Sequence, residues 1–288
     1  GIFGPLIPPS IVMVLYAVYA NQSVSTMLMA GVGPGLMQAA MVCILAVWIC
    51  HRRGYAGVGS FSMKRLLKEF GSSFWALLAP VIILGGIYSG ICTATEASGV
   101  ACFYSILVGL FIYKEMNWKT MLECLGKAMK STGNIMLIVG ASGAFSWVLT
   151  RERIASKLAN TLLSITSSEV LFLIVVMLIL LFLGCFIDSV PITTIMTPIL
   201  VPVVTNPAIG MDPVHFGVVM IFNLAVGLCT PPVGSALFVG CAIGKTPIER
   251  TARNMLPLYL TMVIVLMLVT YIPDISLLLP RLLMGYGA

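Results

Sequence analysis

Of 288 residues, 59% are hydrophobic and only 9% charged, with a mean hydropathy of +1.07, far from the usage of water-soluble domains. The formal charge of +6 comes from 16 Lys and Arg against 10 Asp and Glu, gathered between apolar runs; that pattern suits membrane topology and not nucleic acid, which calls for a basic face interleaved with aromatics. Two histidines, eight cysteines without a CxxC pair, and no HExxH or GxSxG motif argue against histidine metal centres, disulfide frameworks and the common hydrolase sites. An all-α polytopic membrane protein is expected.

The chain opens on GIFGPLIPPS, with neither Met nor a charged leader, which suggests the latter part of a longer polypeptide. Residues 1–20 are apolar but interrupted by Pro8 and Pro9. Ser23 is placed to cap the next helix. Residues 27–50 form a full span whose GVGPG includes Pro34, a kink, and Gly31 with Gly35, a face of small residues that admits a close neighbour. The loop 51–73 holds Arg52, Arg53, Lys64, Arg65 and Lys68 against Glu69 and is expected on the cytoplasmic side.

Spans 74–91 and 97–113 read as a helical hairpin around CTATEASG. Residues 114–130 read as an amphipathic interfacial helix. Residues 131–150 are apolar but broken by GASG, so a discontinuous span is expected; 151–168 is a second amphipathic connection. Residues 170–187 are the most hydrophobic span and end on Asp188. Pro191, Pro198 and Pro202 then crowd residues 190–205, read as the first arm of a hairpin; NPAIGMDP turns the chain, and 215–229 is the second arm. GLCTPPVG follows, then a basic connection at 245–253 with Thr246 and Pro247 as a helix start, and a last span at 256–272.

The two double prolines are twins. With Pro8 and Pro9 laid on Pro231 and Pro232, Gly4 falls on Gly227, Ser23 on Thr246 and Pro34 on Pro257. Proline removes a backbone donor and clashes with the preceding turn, so each pair splits its segment into half-helices. In hydrocarbon such breaks are tolerated only where they face protein or a wet cavity, and paired breaks in two halves point to a secondary transporter's site. Five crossings between the copies make them inverted, which satisfies the charge rule for three of four basic loops; the exception is 151–157, placed outside.

IPPS, TATEAS, DPVHFG at 212–217 and TPPVG at 230–234 occur in an order and spacing that resembles the large membrane subunit of TRAP transporters, over essentially the whole chain. The resemblance implies a sodium-driven importer of an acidic organic solute, handed over by a periplasmic binding protein, working with a small membrane subunit in the bacterial inner membrane. It implies an inverted-repeat elevator with re-entrant helical hairpins and broken helices. On it, residues 1–26 are the second arm of the first hairpin and its broken helix, 27–130 scaffold helices, 131–187 transport helices, 188–256 the second hairpin and broken helix, and 257–288 the last membrane helix and tail. The first hairpin's other arm lies outside this sequence. Members commonly carry TPTE where this chain has Thr93-Ala94-Thr95-Glu96.

Sodium wants oxygen ligands, which unwound carbonyls and hydroxyls provide. The candidate sodium residues are Pro8, Ser10, Thr93, Thr95, Gly227, Thr230, Gly234 and Asp188; candidates for substrate contact are Pro9, Ser10, Asn223, Pro232, Val233 and Ser235, with half-helix N–H groups meeting the anion. No cofactor beyond coupling sodium is expected. The plainer alternatives stay open: kinks that only pack, Asp188 as an N-cap, Glu96 as a cap partner of Thr93 or Thr95, Asn223 and His215 as packing groups. A sodium/proton antiporter, a divalent-anion symporter with similar hairpins, a passive channel and an intramembrane enzyme are the competing functions; for the last, Ser142 and Ser146 lack a nearby base in sequence.

Overall fold

The computed structural model describes residues 1–54, 62–152, 157, 169–207 and 209–287, and every regular element among them is helical. In chain order these are α1 (Phe3–Leu6), α2 (Ile11–Tyr19), α3 (Val24–Arg52), α4 (Met63–Tyr88), α5 (Ala94–Leu107, continued by a π turn at Val108–Ile112) and α6 (Trp118–Arg151). After them come α7 (Glu169–Phe186), α8 (Ser189–Val204), α9 (Pro213–Leu228), α10 (Ser235–Gly244), α11 (Ile248–Asn254), α12 (Leu256–Tyr271) and α13 (Asp274–Met284). Among the described residues α3, α4 and α5 with its π turn are long and apolar enough to cross a membrane, and α11 with α12, bent by 55°, makes a fourth candidate. Among the described residues the fold is all-helical, with several helices of the apolar kind that a membrane protein carries.

Two compact units divide the chain, one of Gly1–Val47 with Leu137–Ala288 and one of Trp48–Met136. In the second, α4 and α5 form the expected hairpin. Its turn is fixed by a capping box: Thr93 accepts from Glu96 N, and the Glu96 carboxylate accepts from Thr93 N and from its hydroxyl, both at 2.8 Å. Tyr104 and Tyr113 donate to the carbonyls of Trp75 and Ser72. The expected segment 27–130 is thus shared: its first helix begins in one unit and its hairpin belongs to the other.

The first unit is built around α9. Every residue from Val214 to Leu228 is buried, as a helix apolar on all sides must be. It packs on α7, α8 and α12, and the N-terminal elements α1 and α2 also lie against it. Asn223 meets Met177 while Gly227 meets Gly184, so α7 and α9 run parallel and α8 returns between them. Glycines allow the tight contacts: a Cβ at Gly31 would overlap Met13 and the Leu6 carbonyl, and one at Gly33 the Ile275 carbonyl. The GVGPG stretch of α3 thus serves as the close-packing face its spacing suggested.

Three expectations change. GASG does not interrupt α6, which runs unbroken from Trp118 to Arg151 and takes in the segment expected as a separate interfacial helix; mid-helix glycine costs only about 1 kcal/mol and no proline is present to remove a bond. Helix α4 begins at Met63, capped by Ser62, so Lys64, Arg65 and Lys68 sit in its first turns and not in a loop. The helices expected as arms at 190–205 and 215–229 are α8 and α9, joined at 205–212, and the end of α7 adjoins the TPP break. A C-terminal helix, α13, follows the last apolar run. Most of the connection expected at 151–168 lies outside the described residues.

Asp188 caps α8, accepting from Ser189 N at 2.7 Å. Asp188→Ala is expected to cost about 1 kcal/mol of stability, seen as a lower melting temperature of the detergent-solubilised protein, with Asp188→Asn close to wild type.

Candidate functional site

Both proline breaks lie in the first unit. At the first, α1 ends at Leu6, the Pro8–Pro9 peptide is cis, and α2 starts from Ser10. At the second, α9 ends at Leu228, Pro231–Pro232 is cis, and α10 starts after Gly234, whose φ of +37° suits glycine. A Cβ at Gly1 would lie 2.7 Å from the Ala236 side chain and 3.5 Å from Cys229 Sγ, whereas Tyr16 reaches Pro213 and Gly217. The first element therefore runs antiparallel to α9, and its break lies along the stretch of α9 between Gly217 and Cys229.

Proline chemistry dictates which carbonyls are released. Pro8 and Pro9 cannot donate to Gly4 O and Pro5 O, and Pro231 and Pro232 cannot donate to Gly227 O and Leu228 O. Two of these find other donors: the Ser10 hydroxyl bonds Pro5 O at 2.6 Å, and Thr230 N bonds Gly227 O at 2.9 Å. The Ser10 oxygen also accepts from Met13 N at 3.3 Å. The Thr230 hydroxyl donates to Val226 O at 2.8 Å, which directs its lone pairs away from its own turn. The result is a set of neutral oxygen donors, chemistry that suits a hard cation.

The second break is held from outside. Gly234 N donates to Cys185 O at 3.1 Å, tying α10's start to the end of α7, and Tyr259 of α12 donates to Cys229 O at 2.8 Å. A Cβ on Gly227 would lie 2.7 Å from Gly184 C, so α7 and α9 touch backbone to backbone at the break. The structure thus brings Cys185, three residues before Asp188, against Gly234. Pro8, Ser10, Gly227 and Gly234 are buried, Thr230 partly so; Pro9, Pro232, Val233, Ser235 and Asp188 are exposed. Thr93 and Thr95 belong to the other unit, where Thr93 is engaged with Glu96 and Thr95 O accepts from Ser98.

Asn223 is buried between α7 and α9. Its amide donates to Met177 O at 2.8 Å, and its Oδ1 has no partner among the described residues beside an apolar cavity of about 90 Å³. Of the buried hydroxyls of α8, Ser189 and Thr193 neighbour Asp188 in the sequence reading, whereas Thr194 and Thr197 escaped it; all four are buried, Thr194 pairs with Ser142 at 3.1 Å, and Thr193 Oγ1 has no partner among the described residues. Their spacing, with 189, 193, 194 and 197 on one helical face, was the available signal. Tyr259 and Cys185 O had none, being long-range.

Residues 1–275 match the family model described as tripartite ATP-independent periplasmic transporter, DctM component. The chain belongs to that family. It is 39% identical over 286 residues to the sialic acid TRAP transporter large permease SiaM of Vibrio cholerae, covering 99% of this chain and 66% of that permease. The C4-dicarboxylate TRAP large permease DctM of Pseudomonas aeruginosa is 38% identical, with 98% and 65% covered, and the 2,3-diketo-L-gulonate large permease YiaN of Escherichia coli 35%, with 96% and 65%. The chain spans just under two thirds of the length of these relatives. All three are named as TRAP transporter permeases.

Proposed function

We propose that this TRAP chain is the greater part of a sodium-coupled importer of an acidic organic solute in the bacterial inner membrane, supplied by a periplasmic binding protein and working with a small membrane subunit. The observation that carries the reading is the pair of antiparallel proline breaks packed along one buried helix, each pairing released carbonyls with a hydroxyl. Sodium is taken by those oxygens, from Pro8, Ser10, Gly227, Thr230 and Gly234, with Asp188 at the neighbouring turn. Thr93 and Thr95 of the second unit remain sodium candidates there. The α7–α8 and α8–α9 reversals serve as re-entrant hairpins, and the first unit moves against the scaffold as an elevator.

The anion is met by the N–H groups opening α2 and α10, near Pro9, Ser10, Pro232, Val233 and Ser235. Relatives named for sialic acid, C4-dicarboxylates and 2,3-diketo-L-gulonate share carboxylates, which supports an organic acid without choosing among them. The test is uptake of labelled sialate, succinate and a keto-gulonate into liposomes carrying the full-length protein with its small subunit and binding protein. Uptake of one acid is expected to need both an inward sodium gradient and the binding protein. Equal uptake without sodium refutes the coupling.

Asn223 gives a finer test. A buried amide with an orphaned oxygen costs about 1–3 kcal/mol, so Asn223→Leu is expected to hold or raise the melting temperature while weakening uptake about tenfold or more. Unchanged uptake would leave Asn223 as packing alone.

A further inference from the structure

The DPVHFG stretch, singled out in the sequence, lies at the far end of α9 from the TPP break, about 20 Å or more away at 1.5 Å per residue. It has no part in the transport chemistry above. Yet within six residues it meets three other elements. Asp212 Oδ1 accepts from Val214 N and His215 N, and its Oδ2 accepts from Tyr286 Oη at 3.1 Å, beyond the end of α13. Pro213 O accepts from Tyr16 Oη of α2 at 2.6 Å. His215 Nε2 lies 3.2 Å from Thr270 O near the end of α12. The Tyr16 ring occupies the space that a Cβ on Gly217 would need.

These partners are fixed side chains. Tyr16 is fully buried, His215 is 2% exposed and Thr270 3%. Burial, and secondarily the Asp212 carboxylate, push the Tyr286 phenol up to about 12, so it stays a donor at neutral pH. Tyr16 lies two turns after the first break, in α2; Gly217 lies in the helix that leads to the second.

We propose that residues 212–217 are a positioning hub that keys α2, α12 and the C-terminal segment to α9, so that the two proline breaks keep one spacing through the transport cycle. The inference rests on the breaks being the transport site. Gly217→Ala pushes Tyr16 aside and shifts the first break relative to the second, which weakens ion binding without touching a ligand. Truncating the ring restores room.

Two measurements on the full-length transporter test it. Spin labels at Val18 of α2 and Leu278 of α13, both lipid- or solvent-facing, are introduced after replacing Cys43, Cys50, Cys92, Cys102 and Cys124. One narrow distance is expected, the same with and without sodium and substrate, and broadened by Gly217→Ala. In uptake, Gly217→Ala is expected to raise the half-saturating sodium concentration about tenfold, with the maximal rate per folded transporter held within about twofold. Tyr16→Leu in the Gly217→Ala background is expected to recover most of that shift, and Tyr16→Phe, which removes only the hydroxyl, to give a smaller shift of the same sign. The hub is refuted if the wild-type distance changes with sodium, if the two substitutions simply add, or if the variants lower only the amount of folded protein. Sodium-independent uptake by wild type would refute the coupling reading, and the distances would still judge the hub.

Discussion

Gly227→Val is expected to abolish uptake and to destabilise the protein by about 3 kcal/mol, which in a chain of this size lowers the melting temperature by about 5–10 °C. The new Cβ would sit 2.7 and 2.8 Å from Gly184 C and Cα, and backbone cannot yield as a flexible side-chain tip does. The helices α7 and α9 must part. Parting them pulls Cys185 O from Gly234 N, the bond that sets α10's starting direction, so the break is lost along with the packing. The mirror substitution is the control. A Cβ on Gly184 meets Leu224 Cα and Gly227 Cα at an ordinary 3.4 Å, and Gly184→Ala is expected to keep uptake within about twofold. Detergent melts and initial uptake rates for the two variants decide; equal behaviour would mean that the Gly184–Gly227 contact does not shape the site.

Thr230→Ala is expected to raise the half-saturating sodium concentration by about tenfold or more while leaving insertion and folding intact. The Thr230 hydroxyl spends its proton on Val226 O, so the oxygen offers lone pairs at the point where Pro231 and Pro232 release carbonyls. Only a weak, local bond is lost with it, which keeps the structural cost small. Thr230→Ser retains the oxygen and is expected to resemble wild type. Sodium titrations of uptake for the three proteins provide the measurement, and an unchanged half-saturation in the alanine variant would remove Thr230 from the site.

What the residues revealed and what they hid follow from the range of the interactions. The proline pairs, the Thr93–Glu96 capping box and the Gly31 contact face are encoded within a few positions, and the structure contains all three in the segments expected. Asp188, open in sequence between an N-cap and a cation ligand, is the N-cap of α8, while the packing of the Cys185 carbonyl on Gly234 beside the TPP break has no local signal. The proline-rich stretch expected as one arm at 190–205 is one helix, α8, with Pro191 in its first turn and Pro198 and Pro202 within it. Tyr259, Cys185 and Gly184 reach the break only through tertiary packing, and no local pattern announces them. Continuity of α6 through GASG shows the same limit: small residues weaken a helix, but tertiary setting decides whether it breaks.

The central claim is that the two proline breaks, antiparallel along α9, hold the coupling cation between released carbonyls and the Ser10 and Thr230 hydroxyls. Equilibrium binding of radioactive sodium to the purified full-length transporter, without any transport step, tests it most directly. Saturable binding is expected, displaced by unlabelled sodium and not by potassium, and weakened in both Ser10→Ala and Thr230→Ala. Binding of wild-type strength in both variants would contradict it.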